Sequence, residues 1–252
     1  MIPLPHKVRG RAGPLVVLLH GFAGDKEGWT ALFGPLSKVR RTVVMDLPGH
    51  GAAVPWAPVP DAKAMADAVI ASLDAMGIAR AALVGHSLGG AVAALVGLLR
   101  PDLVARLILL APGGFGPEMN ARLLRHFAVA RDGAALRAPL EGLFAPTAAL
   151  PAGLLEGMVA AREDDALAAS HAAIVGVITK GDGQGTLPLA KLAAQPFPVT
   201  LVWGEDDGIL PVRQAHGAPA VFARHILPGV GHMPHLEAPA LTKEILVKTL
   251  GV

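Results

Sequence analysis

Short, largely apolar runs alternate along this chain with longer segments whose apolar residues recur at helical spacing. The runs cover residues 15–19, 42–45, 81–84, 107–111 and 199–203, with a shorter one near 225–227. A continuous apolar run is typical of a strand that is covered on both faces. Because strands and helices follow one another in turn, the sequence predicts an α/β fold with a doubly wound, mostly parallel sheet and helices on both sides.

The helical segments carry recognisable boundaries. The first has an apolar stripe at i, i+3, i+4 and i+7, formed by Trp29, Leu32, Phe33 and Leu36. A second helix is predicted to begin at Asp61 and to end at Gly77. Further helices are predicted over residues 212–222 and from Ala238 to the end of the chain.

The alternation stops between residues 113 and 196, where helical segments rich in Ala and Leu are broken by Gly and Pro. This segment is predicted to be a helical insertion. The prediction divides the chain into a core made of residues 1–112 and 197–252, and a helical insertion made of residues 113–196.

Composition narrows the class of protein. The chain has 252 residues, of which 52% are hydrophobic, enough for one large α/β domain with an insertion. Lys and Arg number 22 against 20 Asp and Glu, without a dense basic run, so we expect no nucleic-acid partner. There is no cysteine, which excludes a cysteine nucleophile and thiolate metal sites. No His-Glu-x-x-His pattern occurs, so we expect neither a metal nor another cofactor.

Two features of the sequence concern localisation. The amino terminus lacks the apolar core of a signal peptide, so we expect a cytoplasmic protein. Residues 81–99 carry no charge, but Gly, His and Ser interrupt them, so we expect no membrane span there. Nothing in the sequence indicates an oligomeric state.

The segment Gly85-His86-Ser87-Leu88-Gly89 lies between a predicted strand and a predicted helix. A sharp reversal at this point places Ser87 at its apex and leaves little room for Cβ atoms beside it, which explains the flanking glycines. The hydroxyl is then exposed beside the first free N–H groups of the helix, an arrangement that suits acyl transfer.

A serine nucleophile needs a base and an acid that orients the base. Among ten histidines, His232 follows Gly231 in the loop after the last predicted strand, and His235 in the same loop is the alternative. For the acid, the loop after residue 203 offers Glu205, Asp206 and Asp207, and spacing does not choose among them.

Five motifs of this chain, taken in their order along the sequence, resemble those of the α/β-hydrolase fold. They are His20-Gly21 after a strand, the segment from Asp46 to Gly51, Gly-His-Ser-Leu-Gly-Gly around Ser87, Trp-Gly-Glu-Asp-Asp at 203–207, and Gly231-His232. The resemblance implies that Asp207 is the acid, with Asp206 as the alternative, and that the backbone N–H groups of Phe22 and Leu88 form an oxyanion hole. It also implies that the insertion is a cap over the site.

The sequence of residues 113–120 and 143–144 is similar to that of the hydrolase-type domain of acetoin dehydrogenase acyltransferase subunits. It is more distantly similar to the sequences of enol-lactonases and C–C bond hydrolases. No lipoyl-bearing segment occurs, so we do not expect the chain to be part of that complex. The underside of the cap is expected to be apolar, through Met119, Leu123, Phe127, Leu143, Phe144, Leu154 and Met158. Four arginines are candidates for binding a substrate carboxylate, namely Arg122, Arg125, Arg131 and Arg137.

The sequence thus predicts a serine hydrolase that cleaves a small carboxylic ester or lactone through an acyl-enzyme on Ser87. Two alternatives are a C–C bond hydrolase or acyltransferase with the same three residues, and a binding module that keeps the fold without the chemistry.

Overall fold

A seven-stranded sheet forms the centre of the structure, a computed structural model that describes residues 2–10 and 13–251. Met1 and Val252, the ends of the predicted core, lie outside the described residues. The strands are β1 (His6–Arg9), β2 (Leu15–Leu19), β3 (Thr42–Met45), β4 (Ala81–His86), β5 (Val104–Leu110), β6 (Val199–Gly204) and β7 (Ala223–Leu227). Their order across the sheet is β1-β3-β2-β4-β5-β6-β7, and every pair is parallel except β1 with β3. The predicted α/β class and mostly parallel sheet are confirmed.

Eleven helices are described along the chain. They are α1 (Thr30–Val39), α2 (Ala62–Ala75), α3 (Leu88–Leu99), α4 (Ala121–Val129), α5 (Gly133–Glu141), α6 (Leu154–Ala161), α7 (Asp165–Ile178), α8 (Leu189–Ala193), α9 (Arg213–His216), α10 (Pro234–Glu237) and α11 (Pro239–Leu250). Helices α4 to α8 all lie between β5 and β6. The division of the chain into a core and a separate cap at residues 113–196 stays a prediction.

Alternate residues of the buried strands pack on opposite faces of the sheet. On β2, Val17 and Leu19 belong to the larger apolar cluster, which includes residues of α2 and α3. Val16 and Leu18 belong to the second cluster, which includes residues of α1 and α11. Both faces are therefore covered, which is why these strands carry continuous apolar runs.

Two elements differ from the sequence-based prediction. Strand β1 was not predicted because three of its four residues are exposed, so no apolar pattern marks it, and it joins the sheet edge through backbone pairing with β3. The helix predicted over 212–222 is wrong, since only α9 forms there. Gly217 follows α9 directly and Pro219 comes two residues later, and proline has no backbone N–H with which to continue a helix.

Candidate active site

Ser87 occupies a strained turn between β4 and α3, with φ of 50° and ψ of −115°. The flanking glycines have no space for a side chain. A Cβ on Gly85 would lie 2.2 Å from the carbonyl oxygen of Gly89, and a Cβ on Gly89 would lie 2.4 Å from the carbonyl oxygens of Leu19 and His20. The close approach of α3 to β4 at Gly85, and to the end of β2 at Gly89, therefore requires glycine at these positions.

Hydrogen bonds from neighbouring strands hold this turn in place. The Ser87 N–H donates to the carbonyl oxygen of Leu110 at the end of β5 (2.9 Å), and the Ser87 carbonyl accepts from the N–H of Gly113 (3.0 Å). A backbone strain of about 1–3 kcal/mol persists only where surrounding contacts fix the conformation, and such strain is common at functional sites.

Asp207 and His232 form a buried pair in the loops after β6 and β7. The Asp207 Oδ2 atom lies 2.8 Å from His232 Nδ1, and the two side chains are 0% and 3% exposed. Asp207 Oδ1 accepts the backbone N–H groups of Ile209 (2.8 Å) and Leu210 (2.9 Å). Because the carboxylate accepts from Nδ1–H, the neutral imidazole leaves Nε2 free to take a proton.

The two neighbouring carboxylates of the same loop lie at the protein surface. Glu205 and Asp206 are exposed, whereas Asp207 is buried. Water solvates the first two charges, which reduces the repulsion among the three adjacent carboxylates. Of the three residues that spacing left open, the structure brings Asp207 to the histidine.

The loop that carries His232 is fixed by Glu237 of α10. One carboxylate oxygen accepts the N–H groups of Gly231 (2.9 Å) and Ala145 (2.8 Å), and the other accepts that of Met233 (2.9 Å). The His232 N–H donates to the carbonyl oxygen of Leu143 (2.9 Å). Glu237 thus joins the histidine loop to the segment that follows α5, a role that the sequence did not suggest.

His235, the alternative base, is buried in a different environment. Its ring packs against Trp29, with centroids 4.9 Å apart, and against His86, at 4.5 Å. Burial lowers the pKa of His235 to about 3. Among the described residues no carboxylate forms a hydrogen bond or ion pair with it, and its Nδ1 atom has no partner. His235 therefore lacks the orienting acid that His232 has.

The loop of Phe22 lies directly beside the serine. A Cβ on Gly21 would lie 2.6 Å from His86 Nδ1 and 3.3 Å from the Ser87 Cβ. Neither the N–H of Phe22 nor that of Leu88, the first residue of α3, donates to a protein acceptor within residues 2–10 and 13–251. Both donors are therefore available to a ligand.

The side chain of His20 joins the Phe22 loop to the loop that follows β3. Its Nε2 atom accepts the N–H of Leu47 (2.9 Å), so Nδ1 carries the proton and donates to the Gly21 carbonyl (2.8 Å). Burial lowers the pKa of His20, which keeps the ring neutral in this bracing role.

A sequence model of the alpha/beta hydrolase family matches residues 16–245. The chain belongs to this family. The chain is 35% identical over 229 residues to the dihydrolipoyllysine-residue acetyltransferase component of an acetoin cleaving system from Pseudomonas putida. That match covers 91% of this chain and 61% of the relative, so the chain spans less than two thirds of its length.

Solved structures share the hydrolase fold over nearly the whole chain. One, described as a membrane phospholipase A that is a bacterial virulence factor, has a TM-score of 0.83 and 26% identity, covering 97% of this chain and 81% of its own. Another, the 2-hydroxy-6-oxo-6-phenylhexa-2,4-dienoate hydrolase of Rhodococcus sp. strain RHA1, has a TM-score of 0.85 at 19% identity, covering 98% and 94%. Because the second structure is only 19% identical in sequence, its similarity is evidence of a shared fold alone.

A cavity of about 370 Å³ in this member of the alpha/beta hydrolase family is lined by three of the predicted site residues. Its wall includes Ser87, His232 and Phe22. Four of the residues expected on the underside of the cap also line it, namely Phe127, Leu143, Leu154 and Met158. The other three, Met119, Leu123 and Phe144, are not part of the wall and pack in the larger apolar cluster.

The four arginines proposed as carboxylate ligands do not line this cavity. Arg122 is exposed, and Arg125 donates to the Gly181 carbonyl. Two form ion pairs at the surface, Arg131 with Asp165 and Arg137 with Glu141. The arginine that does reach the cavity is Arg162, which sequence reasoning missed because no local pattern distinguishes it.

Residues 2–10 and 13–251 contain neither a metal-binding cluster nor a membrane-spanning helix. No group of three or more His, Asp or Glu side chains there is arranged to hold a metal ion. No helix within those ranges combines the length and apolar character needed to cross a bilayer.

Proposed function

We propose that this α/β hydrolase is a serine hydrolase that cleaves a small carboxylic ester or lactone. The proposal depends above all on one observation: His232, whose Nδ1 atom lies 2.8 Å from the buried Asp207 carboxylate, lines the same cavity as the strained Ser87. The 26%-identical structure described as a phospholipase supports ester chemistry, because that name denotes an ester hydrolase.

In the proposed mechanism, Ser87 Oγ attacks the carbonyl carbon while its proton passes to His232 Nε2. Asp207 keeps the imidazole oriented and stabilises the positive charge that forms on it. The N–H groups of Phe22 and Leu88 donate to the oxyanion, and one such donor typically contributes about 2.7–4 kcal/mol to the transition state.

The intermediate then breaks the bond to the leaving oxygen, which takes the proton from His232 Nε2 and departs as an alcohol. With a lactone, the alcohol remains part of the acyl group. Water attacks the acyl-enzyme, gives its proton to His232, and the carboxylic acid is released with Ser87 restored.

A chromogenic short-chain ester tests this proposal. We expect the wild-type protein to hydrolyse it and Ser87→Ala to lose at least about 10³-fold in kcat/KM. Ser37→Ala is the matched control, because Ser37 lies in α1 and does not line the cavity. Equal rates for wild type and Ser87→Ala would contradict the proposal. Failure of an organophosphonate to label Ser87 would favour the non-catalytic binding module.

Acyl transfer is a second candidate, favoured by the relative named as an acetyltransferase component. The same acyl-enzyme would then pass its acyl group to a thiol or alcohol. Adding such an acceptor to the ester assay separates the two functions. A transferase forms the new ester or thioester in preference to the free acid, whereas a hydrolase forms mainly the acid. A substrate panel with product analysis also detects C–C bond cleavage.

A further inference from the structure

Arg162 follows α6 and places a buried cation in the wall of the cavity. The residue is 3% exposed. Nη1 donates to the carbonyl oxygen of Met158 (3.0 Å), Nη2 donates to that of Phe127 (3.3 Å), and the guanidinium lies 4.9 Å from the centre of the Phe127 ring. The Nε–H group has no acceptor among the described residues. Several of the five N–H groups of this side chain therefore have no acceptor among the described residues.

This cation has no counter-charge among the residues that the structure describes, unlike the other buried charges. Asp46 pairs with Lys26 Nζ at 2.6 Å, and Asp207 has His232. Burial alone lowers the pKa of Arg162 to about 10, which still leaves it charged at neutral pH. An unpaired buried charge is costly, and such groups in clefts are candidates for ligand binding.

His171 of α7 adds a second polar group to the same cavity. It is 3% exposed, and neither ring nitrogen has a hydrogen-bond partner within residues 2–10 and 13–251. Burial, with a smaller contribution from the charge of Arg162, lowers the pKa of His171 to about 3. The neutral ring offers one N–H donor without adding charge.

Both groups lie close to the proposed reaction centre. The His171 ring contacts the Phe22 ring, with centroids 5.8 Å apart, and Phe22 carries one of the proposed oxyanion donors. The Phe22 ring also contacts Phe127 at 6.5 Å, and Phe127 lies under the guanidinium of Arg162. One aromatic ring therefore separates the cation from the oxyanion loop.

The two carboxylates that line the cavity do not neutralise Arg162. Asp25 accepts the backbone N–H groups of Glu27 and Gly28, and Glu27 pairs with Lys7. The rest of the wall is mainly apolar. A planar guanidinium with free N–H groups matches a carboxylate, and a single cation matches a single negative charge.

We propose that Arg162 and His171 form a carboxylate-binding subsite, so that the preferred substrate is an ester or lactone with a carboxylate remote from the scissile bond. This inference rests on the proposed ester hydrolysis. It extends that function by naming the substrate class and the residue that selects it.

The test compares matched anionic and neutral esters. On the acyl side, mono-4-nitrophenyl adipate is paired with 4-nitrophenyl hexanoate. On the alcohol side, 4-acetoxybenzoate is paired with its methyl ester. We expect wild type to prefer the anionic member of at least one pair in kcat/KM. In Arg162→Met that ratio should fall about 10- to 100-fold, the loss expected for a charge-assisted hydrogen bond.

Two further variants make the result specific. Arg137→Met removes the same charge from an exposed position outside the cavity and is expected to keep the wild-type ratio. Arg162→Lys keeps a cation but not the planar pair of donors, so it is expected to retain part of the preference, and it provides the test if Arg162→Met does not fold. No preference in either pair, or the same ratio in Arg162→Met as in wild type, would overturn the subsite.

Calorimetric titration of adipate into Ser87→Ala separates this proposal from the proposed function. We expect binding that weakens at least about tenfold when Arg162→Met is added. If the wild type cleaves none of the esters while adipate binding still depends on Arg162, ester hydrolysis is wrong and the subsite stands. If esters are cleaved and adipate binding does not depend on Arg162, the subsite is wrong and the hydrolase stands.

Discussion

Replacing Asp207 by Asn tests how His232 is held. In the wild-type protein Oδ1 accepts the backbone N–H groups of Ile209 and Leu210, and Oδ2 lies 2.8 Å from His232 Nδ1. Asn keeps the Oδ1 acceptor but presents an amide N–H₂ group to Nδ1. The neutral imidazole then has to place its proton on Nε2, so this nitrogen cannot accept the proton of Ser87.

We expect kcat/KM of Asp207→Asn for a short-chain ester to fall by about 10³- to 10⁴-fold, or about 4–5.5 kcal/mol in transition-state stabilisation. The side chain keeps its volume and its two backbone hydrogen bonds, so the free energy of unfolding should fall far less, by about 1–3 kcal/mol. The loss of activity should therefore appear in a protein that remains folded.

Initial rates measure kcat/KM, and a urea denaturation curve for the same preparation measures the free energy of unfolding. Asp206→Asn is the matched control, since it removes the same charge from an exposed position one residue away. The reasoning is refuted if folded Asp207→Asn keeps its kcat/KM within about tenfold of wild type, or if Asp206→Asn loses as much.

Two further predictions concern stability. Glu237→Gln should lower the free energy of unfolding by about 1–3 kcal/mol in urea denaturation, because an amide N–H₂ would face a backbone N–H that the carboxylate now accepts. Exposed Glu244→Gln is the control, and equal losses in both variants would contradict the prediction. Because burial lowers the pKa of His235 from 6.5 to about 3, the unfolded chain binds more protons in this window, and stability is lost as the pH falls from about 6.5 towards 3. His235→Phe should reduce the slope of unfolding free energy against pH by up to about 1.4 kcal/mol per unit there, and an unchanged slope in pH-dependent denaturation would refute this.

Local sequence pattern determined the fold class and the place of the turn that carries Ser87, the proposed nucleophile. The strands from β2 to β6 are apolar because both faces of the sheet are covered, and this requirement can be read from consecutive residues. The glycines at 85 and 89 mark a turn that has no space for side chains. By contrast, β1 has three exposed residues and depends on its pairing with β3, so only the assembled sheet identifies it.

The choice between neighbouring residues depended on tertiary structure. Glu205, Asp206 and Asp207 are adjacent and chemically similar, but only Asp207 is buried against an imidazole. The loop that carries the imidazole is held by hydrogen bonds between distant segments, such as the one that Glu237 accepts from the N–H of Ala145. In the sequence, the resemblance to the α/β-hydrolase fold indicated Asp207, whereas the spacing of the three carboxylates did not distinguish among them.

Arg162 shows what sequence by itself could not determine about this protein. Five arginines lie between residues 122 and 162, and nothing in their immediate neighbours distinguishes the last one. Its environment depends on Phe127 of α4, whose ring and carbonyl oxygen contact the guanidinium, and no described residue supplies a counter-charge. Hydrophobic periodicity and glycine positions can be read from residues that are close together in the chain. The electrostatic environment of a side chain depends on residues far apart in the chain, so only the folded structure sets it.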